Sequence, residues 1–163
     1  MAATSSPGGA RAAGSYDTTD DRYTRMPIGT LLTVLGAAGL VASLFIDWIS
    51  DPDGEEALSG YQSSEVGTLL AYLAIGFAVA AIIATANRTW RATGTALKLV
   101  SLAAALAAVI YTVSYMVDPV GPIGEGEVDT ESGVYVAIAG SAAWLLGAIV
   151  GMLEAVRDNR DRT

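Results

Sequence analysis

The sequence predicts an all-α integral membrane protein, a four-helix bundle made of two helical hairpins with both termini in the cytoplasm. Three observations lead to this fold class. Of the 163 residues, 52% are hydrophobic and only 16% are charged, which is more apolar than an ordinary soluble domain. Four segments carry no charge over about 20 positions, the length that crosses ~30 Å of hydrocarbon as a helix. If the four segments cross a membrane in turn, all nine basic residues fall on the same side of that membrane.

The four uncharged segments set the predicted domain boundaries. They are apolar or small on every side, whereas a helix that faces water has a charged stripe. The alternating ten-residue segments of a membrane β-barrel are not visible. We therefore predict a membrane domain over 26–156, with spans at about 26–48, 66–87, 95–117 and 132–154. Residues 1–25, rich in Ala, Gly, Ser, Thr and Asp, are predicted to be a disordered cytoplasmic tail, and 157–163 a second cytoplasmic tail.

The positions of the basic residues predict the orientation. They precede the first span, join the second to the third and follow the fourth, an outcome that chance would give in about one chain in 250, so the positive-inside rule places both termini in the cytoplasm. The acidic loops, including DPDGEEALSGYQSSE at 51–65, are then extracytoplasmic. One lysine against eight arginines is typical of GC-rich genomes, so we expect a multi-pass protein of a prokaryotic cytoplasmic membrane.

The composition argues against most catalytic and binding chemistries. The chain lacks cysteine and histidine, which provide thiol nucleophiles, common zinc ligands and imidazole acid–base catalysis. The uncharged runs within the predicted spans contain no Asp, Glu, Lys or Arg that could form a proton or ion path, and Asp47 and Lys98 lie only at the rims of the first and third spans. In the acidic loop Gly54 is the fourth residue from Asp51, whereas an EF-hand has its glycine at the sixth. We expect no enzyme activity, cofactor or metal site, and the net charge of −8 argues against nucleic acid.

Small residues recur at four-residue spacing along the predicted spans and indicate faces where helix backbones approach closely. Trp144 lies in the middle of the fourth span, so its indole N–H needs a partner inside the bundle or on a neighbouring protein. Whether Gly147 and Gly151 point inward or toward another protein is left open by the sequence. The candidate helix-contact face consists of Gly147, Gly151, Trp144, Gly133, Ala137, Ser141, Gly39 and Ser43. A further face on the second span contains Gly76, Ala80 and Ala84.

Aromatic residues cluster where the predicted spans meet the extracytoplasmic interface. Trp and Tyr favour this depth because their rings have an apolar body and a polar tip. The sequence therefore predicts that four of them, Trp48, Tyr61, Tyr115 and Tyr135, form an interfacial belt.

Two short segments resemble a known group of proteins. FIDWIS at 45–50 and LSGYQ at 58–62 are similar to the first hairpin of small uncharacterised four-span membrane proteins of GC-rich bacteria and archaea. Many of those proteins have Leu-Pro-Trp where this chain has Ile46-Asp47-Trp48. The resemblance covers the first hairpin and implies a four-span fold, but no activity and no site residues.

Together these patterns predict a non-catalytic role that depends on contacts within the bilayer. We expect an accessory or scaffold subunit that associates with a larger membrane complex, for example a respiratory or secretion assembly. Its partners would be other integral membrane proteins or further copies of itself, with the lipid bilayer around them. The alternative is a small transporter or channel formed by oligomerisation.

Overall fold

A computed structural model describes residues 26–51, 56–86, 90–119 and 128–160 of the chain. The helices in chain order are α1 (Ile28–Ser43), α2 (Gly60–Ser63), α3 (Glu65–Ala86), α4 (Trp90–Val117) and α5 (Ser132–Arg160). In these ranges three short strands lie between helices: β1 (Asp47–Ser50), β2 (Ala57–Ser59) and β3 (Asp129–Thr130). The predicted tail over 1–25 lies outside the described residues, so its disorder stays a prediction.

The long helices pack as two adjacent hairpins. Helix α1 contacts α5 most extensively and also packs on α3, while α4 packs on α5 and on α3. The order around the bundle is therefore α1, α3, α4, α5. Many of the fully buried positions are alanines, including Ala71, Ala74, Ala105, Ala108 and Ala137. Small side chains let helix backbones approach closely. In lipid, where the hydrophobic effect does not drive helices together, such close packing favours their association.

Among the residues that the structure describes, three helical segments are long and apolar enough to cross a membrane: Glu65–Ala86, Ala96–Val117 and Ser132–Arg157. They indicate a membrane-embedded protein, and they coincide within a few residues with the second, third and fourth predicted spans. Helix α5 continues to Arg160, so the segment expected to be a tail from position 157 begins as helix.

The first predicted span differs from the structure. The sequence predicts a helix over about 26–48, whereas α1 has 16 residues and ends at Ser43. At about 1.5 Å per residue this helix is about 24 Å long. The apolar stretch continues beyond the helix end, but Trp48 and Ile49 leave the helical path to pack in strand β1, where both side chains are fully buried.

The two connections at one end of the bundle form a small antiparallel sheet, a departure from the predicted all-α fold. Strand β1 lies in the centre, between β2 from the same connection and β3 from the connection that precedes α5. The Glu131 N–H donates to the Trp48 carbonyl at 2.8 Å, and the Ser50 hydroxyl donates to the Glu131 carboxylate at 2.7 Å. The sheet therefore joins the two hairpins, and we call this end of the bundle the sheet end.

Trp48 forms the core of the sheet end. Its indole N–H donates to the Ser43 carbonyl at 2.8 Å, and its ring packs edge-on against Tyr115 at 5.2 Å between centroids. Trp48 is 0% exposed and Tyr115 is 5% exposed. The predicted interfacial belt is therefore wrong for these two residues, because their rings are buried against each other inside the protein. Tyr61 and Tyr135 are exposed, as a belt requires.

Candidate functional site

Helices α1 and α5 run antiparallel with glycines along their contact. Successive contacts move toward the C-terminus of α1 and toward the N-terminus of α5. The start of α1 and the final turns of α5 therefore lie at the end of the bundle opposite the sheet. A Cβ on Gly29 would lie 2.5 Å from the Gly151 nitrogen, too close for any side chain. Facing pairs along the contact are Gly29 with Gly151, Thr33 with Gly147, Gly36 with Trp144 and Leu40 with Gly140.

Gly147 and Gly151 belong to this internal contact. A Cβ on Gly147 would lie 2.5 Å from the Thr33 nitrogen, so Gly147 faces α1. A Cβ on Gly151 would meet nothing within 4 Å, although its backbone lies against Gly29. The Gly151 carbonyl accepts a hydrogen bond from the Lys98 ammonium at 2.8 Å, which ties α4 to α5. The structure thus places Gly147 inside the protein and leaves one side of Gly151 open.

Trp144 and Ser141 join α4 to α5 through polar groups inside the bundle. The Trp144 indole N–H donates to the Ser101 hydroxyl at 3.1 Å, and the Ser141 and Thr112 hydroxyls lie 3.2 Å apart. Trp144 and Ser141 are both fully buried. The ring centroids of Trp144 and of Phe77 in α3 lie 5.8 Å apart. The indole has the internal partner that its mid-span position requires, so this tryptophan is part of the core.

The other residues of the candidate helix-contact face serve different contacts. Gly39 faces Gly140 of α5, since a Cβ added to Gly39 would lie 3.1 Å from the Gly140 Cα. Ala137 is fully buried. Ser43 is also buried, where its hydroxyl donates to the Leu40 carbonyl and its own carbonyl accepts from the Trp48 indole. Gly133 packs against the Trp48 ring and the backbone of β1, so it serves the sheet end.

Three glycines of the α1–α5 contact were missed by the four-residue spacing rule. They are Gly29, Gly36 and Gly140. A seven-residue spacing would have found them, since Gly29 and Gly36 are seven apart, as are Gly133, Gly140 and Gly147. Positions seven apart lie on one helix face, and this period is typical of helices that pack at a shallow left-handed angle.

Helix α3 has an apolar face that points away from the bundle. Gly76 is exposed near the middle of the helix, and a Cβ there would meet nothing within 4 Å. The residues that α3 buries are instead Gly67, Leu70, Ala71, Ala74 and Ala78. The predicted contact face of Gly76, Ala80 and Ala84 is therefore not the one that α3 uses inside the protein. Large exposed side chains surround Gly76, among them Leu69, Tyr72, Leu73, Val79 and Ile83.

A cavity of about 370 Å³ lies at the sheet end between the start of α3 and the last turns of α4. Ser64 and Tyr111 both line this cavity, and their hydroxyls hydrogen-bond each other. Its rim contains two exposed carboxylates, Glu65 and Asp118. The remaining lining residues are Ser63, Val66, Ser114 and Tyr115.

No set of three or more carboxylates that could hold a metal ion occurs within the described residues. Asp53 and Glu55 of the acidic segment lie outside them. Comparisons with known protein families, with curated proteins and with solved structures found no match to this chain.

Proposed function

We propose that this protein is a non-catalytic accessory or scaffold subunit that binds a larger membrane protein complex, such as a respiratory or secretion assembly. In this proposal it crosses the cytoplasmic membrane of a prokaryote four times, with α1 as the first span. The distribution of basic residues supports cytoplasmic termini and an extracytoplasmic sheet end.

The single observation that carries the proposal is the open position at Gly76. The glycines of α1 and most of those of α5 lie against backbone or side-chain atoms of a neighbouring element, whereas Gly76 has empty space above it. Tyr72, one turn earlier, is 60% exposed. A glycine between large apolar side chains leaves a shallow depression into which a second helix can pack closely. We therefore assign this face of α3, around Gly76, to the contact with a partner helix.

The packing of the remaining helices supports a scaffold role. Trp144, Trp48 and alanine side chains fill the bundle, and the buried hydroxyls of Thr33, Ser43 and Thr112 donate to carbonyls of their own helix. These bonds give the three hydroxyls a partner within their own helix, so none of the three is buried without a hydrogen bond. A rigid, closely packed bundle suits a subunit that presents a fixed surface.

The test is replacement of Gly76 with Leu. Because Gly76 is exposed and has open space above it, the Gly76→Leu variant should insert and accumulate normally, while close approach of a partner helix should be blocked. We expect recovery of co-purifying membrane proteins in mild detergent, quantified by mass spectrometry, to fall at least several-fold at unchanged membrane abundance.

Ala107→Leu is the matched control. Ala107 is an exposed small residue on α4, so this variant introduces the same leucine side chain away from the α3 face and should leave recovery unchanged. Equal recovery with both variants would contradict the role assigned to Gly76. Purification of homo-oligomers alone, dissociated by Gly76→Leu, would instead favour the alternative of a small oligomeric transporter or channel.

A further inference from the structure

We propose that the cavity at the sheet end binds an organic ammonium group, carried either by a soluble amine or by the headgroup of an amine-bearing lipid. The cavity volume of about 370 Å³ falls in the range of small-molecule sites. This proposal concerns a different surface from the α3 face around Gly76 and does not depend on a partner protein.

The charges around the cavity favour a cation. Two exposed acidic residues, Glu65 and Asp118, line the cavity, and none of its lining residues within the described part of the chain is basic. The cavity also adjoins the C-terminal end of α4, where Asp118 N–H bonds the Ser114 carbonyl at 2.9 Å, and helix C-termini carry partial negative charge. The start of α3 carries the opposite partial charge, and the Glu65 carboxylate in its first turn offsets that charge.

The aromatic and apolar lining favours an organic cation over a metal ion. Tyr111 and Tyr115 line the cavity with their ring centroids 6.0 Å apart. Ammonium groups bind aromatic faces through cation–π attraction, and their methyl or methylene groups fit apolar walls. Calcium instead needs six to eight oxygen ligands, which two carboxylates and a few hydroxyls shared between fixed helices do not provide. The Ser64 and Tyr111 hydroxyls already bond each other.

The cavity opens where both sources of an ammonium group are available. Its rim residues Glu65, Val66, Ser114 and Asp118 are exposed, and they stand at the ends of two helices suited to span a membrane. An ammonium group can therefore enter from water or from the headgroup layer. The ligand chemistry is the same in both cases, so the experiment has to separate the two sources.

The test measures binding of three probes to the purified full-length protein. Labelled tetramethylammonium is followed by equilibrium dialysis in detergent at constant ionic strength, and retention of phosphatidylethanolamine and phosphatidylglycerol is followed by native mass spectrometry. We expect saturable tetramethylammonium binding if the source is a soluble amine, and selective retention of phosphatidylethanolamine over phosphatidylglycerol if it is a lipid. Either result supports the ammonium site. Absence of both overturns it.

The test compares two double variants. The first combines Glu65→Gln with Asp118→Asn, and the control combines Asp47→Asn with Asp129→Asn. Both pairs remove two exposed carboxylates at the sheet end, but only the first lines the cavity. The first pair should weaken probe binding about tenfold. Each exposed ion pair contributes up to about a fivefold factor in affinity, and this double variant removes two carboxylates. The second pair should change binding less than twofold. An equal loss of probe binding in both pairs would overturn the proposal, as would retention of phosphatidylglycerol as well as phosphatidylethanolamine without saturable tetramethylammonium binding.

Discussion

At the scale of single residues, Trp48 organises the sheet end because glycines from three elements make room for its ring. Cβ atoms on Gly67 of α3 and Gly133 of α5 would lie 2.9 Å and 2.5 Å from indole carbons, and one on Gly60 of α2 would overlap the indole nitrogen. The ring thus touches both hairpins. A single side chain therefore links the connection after α1 to the start of α5.

Replacing Trp48 should destabilise the protein strongly. Trp48→Ala removes a fully buried ring and should lower the free energy of unfolding by about 3–5 kcal/mol. Trp48→Phe should cost less, because the Ser43 carbonyl keeps its bond from the Ile46 N–H at 3.2 Å. The measurement is unfolding in mixed micelles titrated with a denaturing detergent. Tyr61→Ala at the same end, where the ring is exposed, should change stability by less than about 0.5 kcal/mol.

At the scale of elements, the α1–α5 pair is held by backbone proximity. The glycines of both helices remove the Cβ atoms that would separate the two backbones, so van der Waals contact extends along most of α1. Helix α1 contributes few large buried side chains besides Leu40. Its position therefore depends on the glycine register more than on side-chain volume.

A methyl group at the α1–α5 contact should separate the helices. Gly147→Ala places a Cβ 2.5 Å from the Thr33 nitrogen and 2.6 Å from its hydroxyl oxygen, and overpacking of this kind typically costs about 1–3 kcal/mol. Gly76→Ala is the matched control, since its Cβ meets nothing within 4 Å and alanine is the better helix former. Thermal unfolding in detergent should show a lower midpoint for the first variant only; a similar midpoint for both would contradict the internal position of Gly147.

At the scale of the whole molecule, the sheet ties two hairpins that the bundle alone would join only through helix contacts. Strand β1 follows α1 and strand β3 precedes α5, and these are the two helices that pack most closely. The sheet therefore continues the α1–α5 contact beyond the helix ends. The proposed ammonium site lies beside this rigid end, between α3 and α4.

The proposed orientation predicts which positions react with a membrane-impermeant maleimide on intact cells. Because the chain has no cysteine, single cysteines introduced by Ala57→Cys and Asp129→Cys, both exposed at the sheet end, should be labelled without lysis. Cysteines introduced by Ser15→Cys and Thr163→Cys should be labelled only after lysis. Labelling of position 15 on intact cells would reverse the orientation.

The sequence by itself determined the helices suited to the membrane, because uncharged length is a local property and lipid leaves the backbone few other ways to satisfy its hydrogen bonds. It also indicated that the Trp144 indole N–H needs a partner, either inside the bundle or on a neighbouring protein. It did not determine the early end of α1, the burial of Trp48 and Tyr115, or the small sheet. These depend on residues far apart in the chain: Glu131 pairs with Trp48, and Gly133 makes room for its ring.

The tertiary structure likewise decided which small residues are internal. Gly76 and Gly147 both belong to small-residue patterns, yet one faces open space and the other faces Thr33. Spacing along a helix places residues on a common face, but it carries no information on which neighbour covers that face. The cavity between α3 and α4 also depends on the tertiary structure. Glu65 and Asp118 are distant in sequence and share its rim only because the two helices pack side by side.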